Sequence, residues 1–117
     1  MEYNMIKKFH MNPPDIQLLR RKDIEEEYQR KKQKSNNYDN DLKKRLFKEG
    51  ESWVITKNKY PYHFIDKTKH EIMWFLGDVD WNFVHSLFKD KEVVYFENKQ
   101  QNKSIKTIRH IHIFTPF

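Results

Sequence analysis

The sequence has no cysteine, no alanine and only two glycines among 117 residues. Without cysteine there is no disulfide framework, no thiolate chemistry and no Cys-based zinc site. With glycine confined to Gly50 and Gly77, a Gly-rich phosphate loop is excluded. The Gly-x-Ser-x-Gly nucleophile elbow and the His-Glu-x-x-His zinc motif are absent too. No apolar run approaches the ~20 residues that span a bilayer. Met1 to Lys8 carries no signal-peptide hydrophobic stretch. These absences predict an intracellular, cytoplasmic protein with no membrane partner. The missing alanine, set against abundant Lys, Asn, Ile, Tyr and Phe, follows codon composition. It points to an AT-rich genome, such as a large DNA virus or an AT-rich microbe.

What is present is aromatic and charged. Apolar residues make up 37%, charged residues 34% and aromatics 15%. The core is therefore expected to be small and filled by rings rather than aliphatic chains. Twenty-three basic against seventeen acidic residues give +6, and thirteen of the basic and nine of the acidic side chains fall in the first fifty positions. The excess is mild and spread out. Eighteen of the basic residues are Lys and five are Arg, whereas base readers favour the Arg fork. A nucleic-acid partner is expected to be weak and salt-dependent at most, and a Lys-rich solvated surface explains the charge better.

Length fits one domain. Residues 1–15 end in Asn12-Pro13-Pro14 and read as an extended N-terminal arm; residues 16–117 read as a single α+β domain. Asp23 offers a cap, Ile24 and Tyr28 sit four apart, acids come first and Arg30, Lys31, Lys32 and Lys34 come last, which predicts a helix over 23–34. After Ser35-Asn36-Asn37, the spacing of Tyr38, Leu42 and Leu46 predicts a second helix over 38–48, stopped by Gly50. From Trp53 the period changes. Strands are expected at 53–56, 70–76, 92–96 and 107–115, with a short helix capped by Asp78 or Asp80 and marked by Trp81, Val84 and Phe88. The fold class is α+β: two N-terminal helices packed on a largely antiparallel sheet of about four strands, with one inserted short helix.

The chemistry sits in Arg109-His110-Ile111-His112-Ile113-Phe114. Alternate residues of a strand share a face, so Ile111 and Ile113 face a core while His110, His112 and Phe114 face the other way. The two imidazoles are then ~6.6–7 Å apart at the backbone. His70, Ile72 and Trp74 share a face of their own strand. In the right register these strands would gather three imidazoles and the rings of Trp74 and Tyr62. Three readings follow. A divalent metal could be held by His70, His110 and His112. Histidine could do phosphoryl chemistry; His-apolar-His-apolar-Phe is one residue short of the histidine-triad nucleotide hydrolase signature, with Phe114 in the third histidine's place. Or Tyr62, His70, Trp74, His110 and His112 could line a pocket for an anionic or sugar ligand. The bland alternative is a half-exposed sheet face whose histidines pair with Glu92 or Asp66. His10 and His85 look bland and His63 intermediate, and Asp78-x-Asp80 reads as a helix cap rather than a cation site.

Three ordered blocks carry a resemblance: Tyr60-Pro61-Tyr62, then His70-Glu71-Ile72-Met73-Trp74, then Asn102 through Phe114 with its Lys-Ser-Ile and His-x-His. They are similar to those of an uncharacterised family that includes the fungal N-acetylglucosamine-induced protein. The likeness spans roughly residues 16–114, with Lys106 in place of that family's proline. It implies one folded unit and singles out Pro61, Tyr62, His70, Trp74, His110 and His112, without supplying a reaction.

The leading expectation is a small binding or regulatory protein that recognises a phosphorylated or sugar-like small ligand in a His/aromatic cleft. The alternative is a histidine-dependent, histidine-triad-like or metal-dependent phosphohydrolase, and a third is a weak nucleic-acid binder. Mutual repulsion should hold the clustered imidazoles below their ordinary pKa.

Overall fold

A computed structural model of the chain describes residues 1–34 and 37–116. Its elements run α1 (Tyr3–Ile6), a 3-10 turn (Lys7–Phe9), α2 (Lys22–Lys34), α3 (Tyr38–Leu46), β1 (Trp53–Lys57), β2 (Lys69–Phe75), α4 (Trp81–Leu87), β3 (Val94–Phe96), a second 3-10 turn (Gln100–Asn102) and β4 (His110–Thr115). The four strands form one sheet in the order β1-β2-β4-β3, with every neighbouring pair antiparallel. The fold is α+β, and the change from spacing four to alternation around Gly50 divides α2 and α3 from the sheet.

Local chemistry sets the boundaries. Acids Asp23 and Glu25 in the first turn of α2 and Lys31, Lys32 and Lys34 in its last turn both favour the helix dipole. The helix begins at Lys22, so Asp23 lies inside the first turn rather than capping it. In α3 the run ends at Leu46, with Phe47 extended. Gly50 is not the helix stop: its φ of +86° serves a separate turn in which the Glu51 N–H donates to the Lys48 carbonyl. Asp80 is the cap of α4 and accepts from the Phe83 N–H at 3.1 Å. Of the break expected at Ser35-Asn36-Asn37, Ser35 and Asn36 lie outside the described residues.

The N-terminal segment corrects an expectation. Residues 1–15 do not form an extended arm along their length. Tyr3 and Ile6 face the same way across one helical turn, and both are buried against Tyr62, Val94, Phe96 and Phe114. The prolines forbid helix only around themselves. Past the turn, the Met11 N–H donates to the Tyr95 carbonyl, and the Tyr95 N–H donates to His10 Nδ1. The segment thus runs beside β3.

Both sheet faces are covered. On one, Met73, Phe75, Tyr95, Ile111 and Ile113 pack against Val84 of α4. On the other, Ile72 and Trp74 meet Tyr28 from α2, with Tyr38, Leu42 and Leu46 of α3 alongside. The loop after β3 also folds onto this second face through Ile105 and Ile108. An ion cluster holds that loop: Glu97 takes two hydrogen bonds from Arg109, at 2.7 and 2.9 Å, and one from Lys103 at 2.8 Å. Burial would raise the Glu97 carboxyl, but those bonds and charges keep it below the usual range.

Candidate functional site

The register of β2 on β4 places Trp74 opposite His110, Ile72 opposite His112 and His70 opposite Phe114. His70 and His112 are therefore diagonal neighbours on one face, within reach of each other. Their rings meet: His70 Nε2 lies 2.8 Å from His112 Nδ1. The Tyr62 ring centroid is 4.6 Å from that of His70 and 5.3 Å from that of His112. The Trp74 and His110 rings are 4.8 Å apart, and His110 and His112 are 5.5 Å apart. His70, His110 and His112 are 5%, 4% and 4% exposed, so this is not a half-exposed sheet face paired with Glu92 or Asp66.

Hydrogen bonding fixes the protons. The Tyr62 backbone N–H can only donate, so His70 Nδ1, 3.1 Å away, must accept. Neutral His70 then carries its proton on Nε2 and donates to His112 Nδ1, which leaves the His112 proton on Nε2. That atom lies 3.1 Å from Asn98 Nδ2, which as placed donates to Tyr62 Oη at 3.0 Å. Two N–H groups cannot bond each other, so the His112 proton requires the carboxamide turned, with Oδ1 in the place of Nδ2 to accept from His112 and Tyr62. The Tyr62–His70–His112–Asn98 chain therefore has one consistent set of protons, and it is neutral.

Burial enforces that neutrality. Desolvation pushes His70 down to about 3, with Arg20 and His110 adding smaller effects. The same cause takes His112 well below its ordinary value, with His70 and His110 next in weight. His110 is also lowered, mainly by burial, although the Ile108 carbonyl that takes its Nδ1 proton works in the opposite direction. The depression expected from mutual repulsion is present, but desolvation is its larger source.

A cavity of about 550 Å³ lies between α2, α3 and this sheet face. Trp74, His110 and His112 reach it, whereas Tyr62 and His70 lie behind the wall. Its lining includes five bases (Arg20, Lys31, Arg45, Lys57 and Lys59) and one acid, Asp41, among the described residues. Arg20 is the buried base. Its side chain is 8% exposed, Nε donates to the Tyr60 carbonyl at 2.6 Å, Nη1 pairs with Glu25 at 2.9 Å, and the guanidinium lies 4.7 Å from the centre of the Tyr28 ring.

Among the described residues, no three His, Cys, Asp or Glu side chains are grouped to hold a metal ion. The expectation of a metal on His70, His110 and His112 therefore fails, for a physical reason. His70 and His112 point nitrogens at each other, and their outer nitrogens are taken by Tyr62 and Asn98.

Several contributors escaped the sequence reading. Asn98 sits in a polar loop, Tyr28 belongs to an unremarkable helix stripe, and Asn58, with Nδ2 3.3 Å from both His70 ring nitrogens, lies in a turn. Arg20 had one available signal: it is one of five arginines among eighteen lysines.

No protein-family model matches the chain, and no curated protein does. A solved structure, "Crystal Structure of HTC1", is similar to it with a TM-score of 0.71 at 14% identity, over 86% of this chain and 76% of that chain. At that identity the likeness establishes a shared fold.

Proposed function

We propose that the chain is a small intracellular binding protein for a phosphorylated or sugar-like small molecule, taken up in the cavity above Trp74, His110 and His112. The observation that carries this reading is the cavity's charge and size. Five bases against one acid around about 550 Å³ suit a small anion, while the Trp74 and Tyr28 rings and the Leu42 and Ile72 side chains suit an apolar or ring-shaped body. The resemblance to the family of the fungal N-acetylglucosamine-induced protein belongs to this proposal, because its late block is the segment that supplies His110 and His112.

Titration of a panel of nucleotides and sugar phosphates, followed by tryptophan fluorescence and calorimetry, tests it. Saturable binding by at least one member is expected, lost in Arg20→Ala and weakened in Arg45→Ala. Absence of binding across the panel overturns it. The enzyme alternative, a histidine-dependent phosphohydrolase, requires turnover of a panel member; turnover that survives loss of both His110 and His112 rules it out. The nucleic-acid alternative requires affinity that falls steeply with salt.

A further inference from the structure

The three clustered histidines are not equivalent. Both ring nitrogens of His70 and of His112 are engaged within the protein. His110 differs: Nδ1 lies 2.8 Å from the Ile108 carbonyl, which can only accept, so the proton sits on Nδ1 and the lone pair on Nε2. Among the described residues Nε2 has no protein partner, and no buried side-chain nitrogen or oxygen is left unpaired. Nε2 is therefore open to the cavity that His110 lines. Arg20 repeats the pattern: Nε and Nη1 are engaged while Nη2 has no acceptor, on a side chain that is 8% exposed and lines the same cavity. A neutral nucleophilic nitrogen and an unspent guanidinium donor thus line the same half-open, cationic cavity.

The geometry points to His110 Nε2 as a nucleophile that takes a phosphoryl group from the ligand. This inference rests on the phosphorylated-ligand reading above. In the step, the Nε2 lone pair attacks phosphorus, a P–N bond forms, and the P–O bond to the leaving group breaks with its electron pair departing on oxygen. The Nδ1 proton stays in place. The ring gains a formal positive charge that the Ile108 carbonyl, already accepting from Nδ1, offsets. Arg20 lines the same cavity, and its charge reaches His70 and His112, so it is suited to hold the anionic ligand in place. The neutral form needed for attack is the one burial favours; of the charges that act on His110, Lys103 opposes protonation while Glu97 and Asp39 favour it, and Lys103 is itself paired with Glu97.

The step asks least of a donor whose leaving group needs no proton. A carboxylate or a phosphate departs as a stable anion, so the donor class is an acyl phosphate or a phosphoanhydride rather than a simple alkyl phosphate ester.

Two probes separate this inference from the one beneath it. Phenyl phosphate, followed by tryptophan fluorescence, reports binding without ready transfer. Acetyl phosphate, followed by intact mass and NMR of the imidazoles, reports transfer. Expected is one phosphoryl group per chain, acid-labile, on Nε2 of His110, lost in His110→Asn and kept in His70→Gln. Asn retains a donor for the Ile108 carbonyl, and wild-type NMR alone distinguishes Nε2 from Nδ1 adducts should a variant misfold. Binding of phenyl phosphate with no adduct overturns the transfer step and leaves the binding proposal standing. An adduct on Nδ1, on His112, or spread over the exposed His10, His63 and His85 overturns it as well. Failure of both probes overturns the transfer step, and failure of the nucleotide and sugar-phosphate panel as well overturns both proposals.

Discussion

Strand β4 faces two different solvents. Ile111 and Ile113 look into an apolar layer with Met73, Phe75 and Val84, while His110, His112 and Phe114 look into a layer where imidazoles, a phenol and an amide are linked. Both sides are equally buried, since Ile111, Ile113, His110 and His112 are all under 5% exposed. One side stabilises through area removed from water and tolerates any proton concentration. The other contributes only while each polar atom keeps its partner, and so it ties folding to protonation. A single strand can thus supply stability from one face and chemistry from the other, because alternation keeps the two from interfering.

Acid should separate the faces most. The histidines have lower pKa values folded than unfolded, so the unfolded chain takes up protons first, and stability falls as pH drops below about 6.5. Each such histidine contributes up to about 1.4 kcal/mol per pH unit. Urea melts should show a steep loss from pH 7 toward pH 5, shallower in His70→Gln/His112→Gln. Equal pH dependence in the two proteins would refute the neutral chain. Next in size, Ile111→Ala should cost about 2–5 kcal/mol, measured at pH 7, with the pH slope unchanged. His112→Phe keeps a flat ring, though a bulkier one, but strands the His70 Nε2–H, at a cost of about 1–3 kcal/mol before any overpacking; a neutral outcome would mean that the 2.8 Å contact contributes nothing. Smallest should be His110→Gln, within about 1 kcal/mol of wild type in stability, yet impaired in ligand binding. A large stability loss there would make His110 a core residue like His112.

The sheet was readable because β-branched and aromatic residues cluster after Trp53 and the intervening segments carry strong punctuation, so each strand lies close to its expected range. The helical N-terminus was not, because Pro13 and Pro14 dominate a segment whose real signal is the weaker spacing of Tyr3, Ile6 and Phe9. For the histidines, same-face placement follows from parity alone. Their division of labour does not, since it depends on which nitrogen meets Tyr62 N–H, the Asn98 amide or the Ile108 carbonyl, and hydrogen-bond partners so distant in the chain leave no local pattern. Arg20 is the same case: its role comes from Tyr28, Tyr60 and Glu25 arriving around it.

The pairing of His10 and Met11 with Tyr95 has a consequence for solubility. β3 is the outermost strand on its side of the sheet, three residues long and wholly buried, and bare outer strands recruit other chains into shared sheets. Here the residues just before the double proline occupy the Tyr95 amide and carbonyl, so a passing strand finds both already engaged. Pro13 and Pro14 follow directly and can offer no amide of their own. The N-terminal segment therefore blunts this edge of the sheet, and a cleavage beyond Met11 would bare the Tyr95 amide and carbonyl to a neighbouring chain.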